Sequence, residues 1–432
     1  MVLPERLVAP MKKIIISNGH FKFILGPAAA EANKRNILDC FITAGYPTQK
    51  IKKWISCLGL AQYGALKRLL NREEMIPEVL VHPLWLSELM IQVGFVVRKI
   101  TKTTKYFEWL DDYGLRLYGY QASKIVRKSS AKIYHYRSGY GHNSVKVAKQ
   151  QGMIVLCDHS IAHPATCEFL IGNQGKLPPK LEIGSISRFW SNILEDINQA
   201  DDVVVNSDFV KETFISQGWN PDRIYVVYTG IDNDFLNAVP HRKYDSTSNQ
   251  PLKLLFAGEF GARKGGGLLI QALQQINDLP WQLTIIGDID PTIKLRFKSF
   301  FSDQRVTIFG FLPRLQLAEH MSNADVFVFP SLAEGSARVI FMAMACGCYM
   351  ITTSNSGSIV EDGIHGYLVP PGDVDELEKA VRLTLMMDRK EIARIGKSNA
   401  EVIRTDYTQD QYGENLFRIY ERLLTQENVS NA

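Results

Sequence analysis

Short apolar runs alternate with amphipathic stretches along most of this chain, and glycine, proline or polar residues separate them. Short apolar runs between turn residues are typical of strands buried in a parallel sheet, and the amphipathic stretches are typical of helices that cover it. The pattern therefore predicts an α/β protein. The predicted strands cover residues 12–17, 132–136, 153–157, 203–205, 224–227, 252–257, 283–287, 306–309 and 326–329.

The amphipathic stretches predict helices between these strands. The first extends from about residue 28 to Thr43 and stops before Gly45-Tyr46-Pro47, because glycine and proline end helices. Ser207 is a typical N-cap for a helix over residues 208–216. Further helices are predicted over residues 143–150, 182–199, 268–276, 338–345, 375–387 and 412–425.

Residues 50–128 differ from the rest, since they contain several helical patterns and few strands. Trp85, Leu89, Val93 and Val96 recur at helical spacing. Lys and Arg outnumber Asp and Glu about two to one in this segment, and aromatic residues lie among them. Such a mixture is typical of contact with an anionic membrane surface. It is also typical of a helical layer packed on the sheet with a solvated basic face.

A polar, turn-rich segment at residues 240–250 predicts a linker between two domains. We predict a Rossmann-like N-terminal domain over residues 1–238, a second over residues 251–410, and a C-terminal helix over residues 411–432 that packs back on the first. Ligands bind at the carboxyl ends of strands in open parallel sheets. The loops that hold Gly26, Arg137 and Gly139 are therefore predicted to line a cleft.

Residues 325–351 combine a strand, a tight turn with Glu334, and a helix. A helix N-terminus suits a phosphate, and a carboxylate accepts hydrogen bonds from sugar hydroxyls. The combination indicates a nucleotide-sugar site, although an ordinary βα turn in which Glu334 caps the helix has the same pattern. Residues 258–267 add a glycine loop with Arg263 and Lys264, which is a candidate diphosphate site.

The stretch 330–347 resembles the signature of the family-4 retaining glycosyltransferases, also described as glycosyl transferases group 1. That signature is P-S-x-x-E-G-x-G, a helix with a second Glu, and A-x-x-x-G. The matching residues are Pro330, Ser331, Glu334, Gly335, Ala343 and Gly347. Ala337 replaces a glycine, and Met342 replaces the second Glu, which in the family usually holds the ribose hydroxyls.

A second family motif, G-R-x-x-x-x-K-G, is similar to residues 258–265. Gly258, Lys264 and Gly265 match, whereas Glu259 replaces the arginine. Arg263 is a candidate for the missing cation. The run from 200 to 236 also resembles the end of the family's N-terminal domain.

The resemblance implies the GT-B fold, with two Rossmann-like doubly wound parallel-sheet domains facing a cleft. It implies an N-terminal acceptor domain, a C-terminal donor domain, and transfer of a sugar from a nucleotide-diphosphate sugar to an acceptor hydroxyl with retention of configuration. The acceptor would be a glycan, a lipid-linked molecule or a small molecule, in polysaccharide, glycolipid or cell-envelope glycan synthesis. No cofactor is expected. The donor's own phosphate would take the acceptor proton, so no dedicated base or metal would be required.

The resemblance also assigns roles to residues. The implied catalytic residues are Glu334, Lys264 and His159, with His163 as a second candidate for the histidine near the transferred sugar. The implied donor-binding residues are Arg263, Gly258, Gly335, Ser336, Ala337, Arg338, Met342, Phe311 and Leu312. No metal is expected, because the chain has no D-x-D motif, and Pro164 and the strand context argue against a helical metal pair at His159 and His163.

Composition restricts the class of protein further. With 432 residues, 46% hydrophobic residues and a net charge of +4, the chain is typical of a globular protein with two or three domains. The six cysteines have no metal or disulfide spacing, which favours a reducing cytosol. No signal peptide or run of about 20 apolar residues is visible. We therefore expect a cytoplasmic protein, peripheral on the inner face of the membrane.

Other functions fit parts of the same sequence. A non-catalytic nucleotide-sugar binder, or a partner subunit of another glycosyltransferase, would explain Met342 and Glu259. A sugar-nucleotide epimerase or hydrolase on the same fold fits less well. Nucleic-acid binding fits least, because no DNA- or RNA-binding motif is present, and we expect no nucleic-acid partner.

Overall fold

The structure is a computed structural model that describes residues 13–21, 25–59, 64–101, 105–181, 186–240, 242 and 250–430. Within these residues, two sheets form in which the paired strands are parallel. The strands of the first sheet are β1 (Ile14–Ser17), β2 (Leu38–Thr43), β3 (Val81–Pro83), β4 (Ile133–Arg137), β5 (Ile154–His159), β6 (Asp202–Val205) and β7 (Ile224–Val226). Those of the second are β8 (Leu252–Ala257), β9 (Trp281–Ile286), β10 (Val306–Phe309), β11 (Val326–Phe329), β12 (Tyr349–Thr353) and β13 (Gly366–Val369).

The strand order is β3-β2-β1-β4-β5-β6-β7 in the first sheet and β10-β9-β8-β11-β12-β13 in the second. In each sheet the chain first adds strands on one side of the domain's first strand, which is β1 or β8, and then adds the remaining strands on its other side. This is the topology of a doubly wound sheet. The predicted α/β class with two Rossmann-like domains is therefore confirmed.

Helices connect and cover the strands of both sheets. Before the second sheet the helices are α1 (Leu25–Lys34), α2 (Gln49–Cys57), α3 (Gly64–Leu70), α4 (Trp85–Thr101), α5 (Lys105–Val126), α6 (His142–Gln150), α7 (Pro164–Gly172), α8 (Arg188–Ile197), α9 (Asp208–Ser216) and α10 (Asn233–Ala238). In the C-terminal domain they are α11 (Gly266–Gln274), α12 (Pro291–Arg296), α13 (Arg314–Asn323), α14 (Arg338–Ala345), α15 (Val374–Leu385), α16 (Arg389–Asp406) and α17 (Gln409–Ser430).

The predicted first helix is wrong in its second half. Helix α1 ends at Lys34, and Asn36 has a φ of 56°, a left-handed conformation that does not continue a helix. The apolar run that follows forms β2, which pairs with both β1 and β3. Phe41 and Ile42 are buried there. Burial between two strands therefore outweighs the helical pattern.

Helix α17 packs on the N-terminal domain. His135 of β4 shares a hydrogen bond of 2.8 Å with the Tyr420 hydroxyl. Leu416 and Leu423 lie in the same apolar cluster as Ile14 and Ile16 of β1. The last helix thus crosses from the second sheet to the first. Most of the predicted linker at residues 240–250 lies outside the described residues.

Candidate functional site

The loop after β8 and the turn after β11 lie against each other, because these strands are neighbours in the second sheet. Gly265 is the N-cap residue of α11 and has a φ of 73°, and a Cβ there would lie 2.0 Å from the carbonyl oxygen of Pro330. Gly258 has a φ of 127°, and a Cβ there would lie 2.7 Å from Lys264 Nζ. Both positions therefore require glycine, and the close approach brings Lys264 to the turn.

A carboxylate and two cations meet at this contact. Arg263 Nη1 lies 2.6 Å from Glu334 Oε1 and also donates to the carbonyl of Ala333 at 2.9 Å. Lys264 Nζ lies 4.0 Å from the same carboxylate oxygen. The backbone fixes the arrangement, since the N–H of Leu332 donates to the carbonyl of Arg263 at 2.8 Å. The structure thus brings together three residues that the sequence predicted for donor binding and catalysis.

Lys264 is largely enclosed by this arrangement. Burial lowers the pKa of Lys264, and the nearby charge of Arg263 lowers it further, whereas Glu334 and Glu259 raise it. The ammonium also lies 5.4 Å from the centre of the Phe329 ring. A partly desolvated cation of this kind interacts strongly with an anionic group that enters the site.

Gly335 lies where the two domains touch. A Cβ there would lie 2.0 Å from the carbonyl oxygen of Ser160, which follows β5 in the N-terminal domain. Ser207 Oγ donates to the carbonyl of Gly335, and Asn206 Nδ2 donates to the carbonyl of Ser160 at 3.2 Å. The carboxyl ends of the two sheets therefore face one another at the turn that carries Glu334.

The first turn of α14 differs from the predicted phosphate site. The backbone N–H of Ala337 donates to the carbonyl of Ser356 at 2.9 Å, so this donor is already used within the protein. The guanidinium of Arg338 is 2.9 Å from Asp232, which also binds Arg314 at 2.7 Å. Ser336 is half-buried in the same turn.

Three other predicted donor residues are spread over the second domain. The side chain of Met342 is only 5% exposed and belongs to the apolar core of this domain. Phe311 and Leu312 follow β10, where the Phe311 ring is 86% exposed and Leu312 packs against the core. Phe311 is thus available to a ligand, whereas Met342 faces apolar side chains.

His159 is enclosed in the N-terminal domain. Its Nδ1 shares a hydrogen bond of 2.9 Å with Ser138 Oγ, and its Nε2 lies 3.3 Å from the carbonyl of Ala162. Burial, together with the charge of Arg137, lowers the pKa of His159 to about 3. His163 is also buried, and its Nδ1 accepts the N–H of Ala165 at the start of α7. Neither ring points into open space at the contact between the domains.

The three residues predicted to line the cleft, Arg137, Gly139 and Gly26, lie in different places in the N-terminal domain. Arg137 Nη1 lies 2.6 Å from both Asp158 Oδ1 and Ser160 Oγ, which places it behind the residue that touches Gly335. Gly139 donates its N–H to Asp196 Oδ2 at 2.7 Å. Gly26 lies in the first turn of α1, where a Cβ would be 2.7 Å from Glu74 Oε1.

Several residues that build this contact were not predicted from the sequence. Asp196 accepts the backbone N–H groups of Gly139, Gly141 and His142 and so shapes the loop after β4. Ser207 was predicted only as an N-cap, a role that its bond from Val210 N–H at 3.2 Å confirms. The available signal for Ser160 and Asn206 was their position directly after strands.

Among the described residues, no group of three or more His, Cys, Asp or Glu side chains is placed to hold a metal ion. No helix in the described part of the chain is long and apolar enough to cross a bilayer.

Two Rossmann-like domains whose strand carboxyl ends meet in this way define the GT-B fold. Residues 251–386 match the family model described as Glycosyl transferases group 1, and residues 93–235 match the one described as Glycosyltransferase Family 4. Each of the two domains is therefore similar to a glycosyltransferase family.

Individual proteins show the same similarity. The amylovoran biosynthesis glycosyltransferase AmsK of Erwinia amylovora is 26% identical over 221 residues, which cover 48% of this chain and 53% of AmsK. The chain spans about half the length of the curated relatives that it matches.

Solved structures share the fold over nearly the whole chain. A glycosyltransferase from Rickettsia africae has a TM-score of 0.62 at 16% identity and covers 95% of this chain and 99% of its own. Anabaena Alr3699/HepE in complex with UDP and glucose has a TM-score of 0.58 at 16% identity, with coverage of 96% and 100%.

Proposed function

We propose that this protein is a retaining glycosyltransferase that moves a sugar from a nucleotide-diphosphate sugar to an acceptor hydroxyl. The observation that carries the proposal is the meeting of Arg263, Lys264 and Glu334 beside the contact between the domains. The similarity to glycosyltransferase families and to AmsK supports it, and polysaccharide, glycolipid or cell-envelope glycan synthesis is the proposed setting. The proposed location is the cytoplasm.

Lys264 is the group that neutralises the leaving diphosphate. Charge accumulates on the phosphate oxygens as the bond to the sugar breaks, and a fixed cation stabilises that charge most strongly in a partly desolvated site. The side chain is held under Gly258 and beside Phe329, so little reorganisation is needed. Because HepE binds UDP, a uridine nucleotide is the first donor to test.

Glu334 is the group that orients the transferred sugar, since a carboxylate accepts hydrogen bonds from neighbouring hydroxyls. Arg263 then acts as a positioning residue, because its guanidinium is already bonded to Glu334 and to Ala333. A donor phosphate oxygen takes the proton from the acceptor hydroxyl, so the reaction needs no metal and no separate base. His159 has a supporting role in the wall of the N-terminal domain, because both of its ring nitrogens face protein atoms.

The test is a thermal-shift and transfer experiment with the whole chain. UDP, GDP, ADP and CMP are compared on the wild type, on Lys264→Ala, and on the control Lys298→Ala, whose side chain is exposed in the same domain. We expect one nucleotide to raise the melting temperature of the wild type and the control but not of Lys264→Ala. The matching nucleotide sugar is then incubated with lipid-linked and soluble glycan acceptors, and NMR reads the anomeric configuration of the product.

A second candidate function is a non-catalytic nucleotide-sugar-binding or partner subunit of another glycosyltransferase. Met342 in the apolar core and the exposed acid at Glu259 favour it, because both lie at positions where the family motifs hold ligand-binding groups. Nucleotide binding without product, with activity appearing only when another transferase is added, would select this function. Release of free sugar without an acceptor would instead indicate a hydrolase.

A further inference from the structure

The loop after β12, residues 354–357, lies against the turn that carries Glu334. Strands β11 and β12 are neighbours in the second sheet, so the two connections leave the sheet side by side. The backbone carbonyl of Asn355 accepts the N–H of Glu334 at 2.9 Å. The backbone carbonyl of Ser356 accepts the N–H of Ala337 at the same distance. The backbone position of Glu334 therefore depends on this loop.

The side chain of Asn355 reaches both domains. Its Nδ2 donates to the carbonyl of Leu332 at 2.8 Å, within the turn after β11, and to the carbonyl of Gly175 at 2.6 Å, in the N-terminal domain. The residue is only 4% exposed. A primary amide has two N–H groups, so one is available for each of these carbonyls. Asn355 thus joins the turn of Glu334 to the loop that follows α7.

The loop after α7, residues 173–176, has the conformation that this contact needs. Gln174 and Gly175 have φ angles of 52° and 80°, in the left-handed region. A Cβ at Gly175 would lie 2.6 Å from Pro371 Cβ and 3.0 Å from Asn355 Nδ2. A side chain at position 175 would therefore push the loop away from the second domain and displace the Asn355 amide.

The N-terminal domain holds the same turn at a second point. Ser207 Oγ, at the start of α9, donates to the carbonyl of Gly335. The turn is thus held at Leu332 through the Asn355 amide and at Gly335 through a serine hydroxyl. Glu334 lies between these two points. A change in the distance between the domains therefore moves the backbone that carries the carboxylate.

The Asn355 amide depends on the contact between the domains. Its two N–H groups have these carbonyl acceptors only while the loop after α7 lies against the second domain. A buried amide is most favourable when every N–H is bonded, so Asn355 stabilises that contact. When the loop moves away, the side chain loses one bond, and the orientation of the other is no longer fixed. The turn of Glu334 is then held less firmly.

We propose that Asn355 is a positioning residue for the proposed sugar transfer. Its amide fixes the turn that carries Glu334 when the loop after α7 lies against the second domain, so the carboxylate is set for the sugar when the domains are in contact. This role rests on the proposed function, because it acts through Glu334, whereas the coupling between the two loops does not.

The coupling is tested by hydrogen–deuterium exchange of the full chain without ligand. Asn355→Ala is compared with the control Asn277→Ala, which removes an exposed asparagine that bonds to the carbonyl of Gln274 in the same domain. We expect Asn355→Ala to raise the exchange rate at least about threefold in peptides that cover residues 332–337 and 173–176. The exchange of β8 and β9 is expected to stay unchanged, and the control is expected to exchange like the wild type.

A change in one domain is then read in the other. Gly175→Ala alters the loop after α7, and Gly172→Ala is its control, because a Cβ at Gly172 meets no heavy atom within 4 Å. We expect Gly175→Ala, but not Gly172→Ala, to raise the exchange of residues 332–337 in the second domain. Equal exchange there in both variants would overturn the proposal. So would an Asn355→Ala variant that exchanges faster throughout the second domain, since that effect is a general loss of stability.

The role in transfer is tested by kinetics. Turnover of UDP-glucose, which HepE binds, with a mixture of soluble glycan acceptors gives kcat, and calorimetric titration with UDP gives the nucleotide affinity. We expect kcat of Asn355→Ala to fall at least about tenfold, while the affinity for UDP changes less than about threefold. Asn355→Asp is expected to be equally impaired, because a carboxylate cannot donate to the two carbonyls. Asn355→Ala/Gly175→Ala is expected to be little less active than Asn355→Ala.

An equal loss of kcat and of UDP affinity in Asn355→Ala would contradict a positioning role, because it would indicate a direct contact with the donor. A wild type that forms no product with any nucleotide sugar tested would contradict the proposed function. The exchange of residues 332–337 in Gly175→Ala would then still decide whether the two loops are coupled.

Discussion

Arg263 lies 2.6 Å from Glu334 although the two residues are 71 positions apart in the chain. The same guanidinium nitrogen also donates a hydrogen bond to the carbonyl of Ala333. Lys264, the next residue in the loop, points its ammonium to the space under Gly258. In the proposed function the adjacent cations therefore have different roles, since Arg263 holds the carboxylate of Glu334 and Lys264 would bind the donor phosphate.

If Arg263 positions Glu334 and Lys264 binds the phosphate, the effect of Arg263→Ala can be predicted. We expect kcat/KM for sugar transfer to fall at least about tenfold, whereas the affinity for the nucleoside diphosphate changes less than about threefold. The reason is that the variant frees Glu334 and leaves Lys264 in place. Initial rates and calorimetric titration with the nucleoside diphosphate measure the two quantities.

Glu334→Gln completes a double-mutant cycle for the same pair. If Arg263 acts through Glu334, the double variant is expected to lose little more activity than Glu334→Gln alone. Arg394→Ala, which breaks an exposed pair on α16, is the control. An equal loss of transfer and of nucleotide affinity in Arg263→Ala would show that Arg263 replaces the arginine missing at Glu259.

Gly258→Ala tests the space that Lys264 occupies. A Cβ there would lie 2.7 Å from the ammonium, and the φ of 127° is unfavourable for any residue with a side chain. We expect at least a tenfold weaker nucleotide affinity, because Lys264 must move away. Gly310→Ala is the control, since a Cβ at Gly310 meets no heavy atom within 4 Å. Nucleotide titration of both variants measures the effect, and equal affinities would contradict the arrangement.

Local signals predicted many elements well. The strands at 252–257, 306–309 and 326–329 and the helices at 208–216 and 338–345 have the predicted bounds, because apolar runs end there at turn residues or caps. The strand at 38–43 was missed, because a short apolar run has no clear period of its own. Its neighbours β1 and β3 decide its conformation.

The candidate site was predictable as a set of residues but not as an arrangement. Motif resemblance selected Lys264 and Glu334, while the bond from Arg263 depends on a contact between two distant loops. The contact between Gly335 and Ser160 depends on how the two domains are placed relative to each other. Helical period likewise predicted α4 but not its orientation, since periodicity identifies an apolar face without saying whether that face is buried.

The buried histidines predict how stability depends on pH. Burial lowers the pKa of His135 from 6.5 to about 3, so between these pH values the unfolded chain binds a proton that the folded protein does not bind. The stability from this group is complete above pH 6.5 and is lost as the pH falls toward 3. We expect His135→Gln to reduce the slope of unfolding free energy against pH by up to about 1.4 kcal/mol per pH unit.

Urea unfolding between pH 7 and about 4 measures this slope. Tyr420→Phe is the matched variant, because it removes the hydroxyl bonded to His135 and leaves the histidine able to titrate. It is expected to lower stability and keep the slope. If His135→Gln kept the wild-type slope, the histidine would have to be protonated in the folded protein as well.

Met342 stands where the glycosyltransferase family that residues 330–347 resemble has its second Glu. Here the side chain is 5% exposed within the apolar core of the second domain. We expect Met342→Glu to lower the free energy of unfolding by about 3 kcal/mol or more, because it buries a charge without a partner. Met342→Leu keeps the volume and is expected to cost less than about 1.5 kcal/mol. Neither variant is expected to bind nucleotide more tightly.

Met386→Glu is the control for this prediction, since Met386 is an exposed methionine at the end of α15. An exposed substitution changes the free energy of unfolding by about 0.5 kcal/mol or less. Urea unfolding and nucleotide titration of the three variants show whether position 342 faces the donor or lies in the apolar core. If Met342→Glu is as stable as the control and binds nucleotide more tightly, position 342 faces the donor, and the donor site is the family's site with one ligand removed. If Met342→Glu is destabilised without a gain in affinity, the ribose must be held by other groups of this chain.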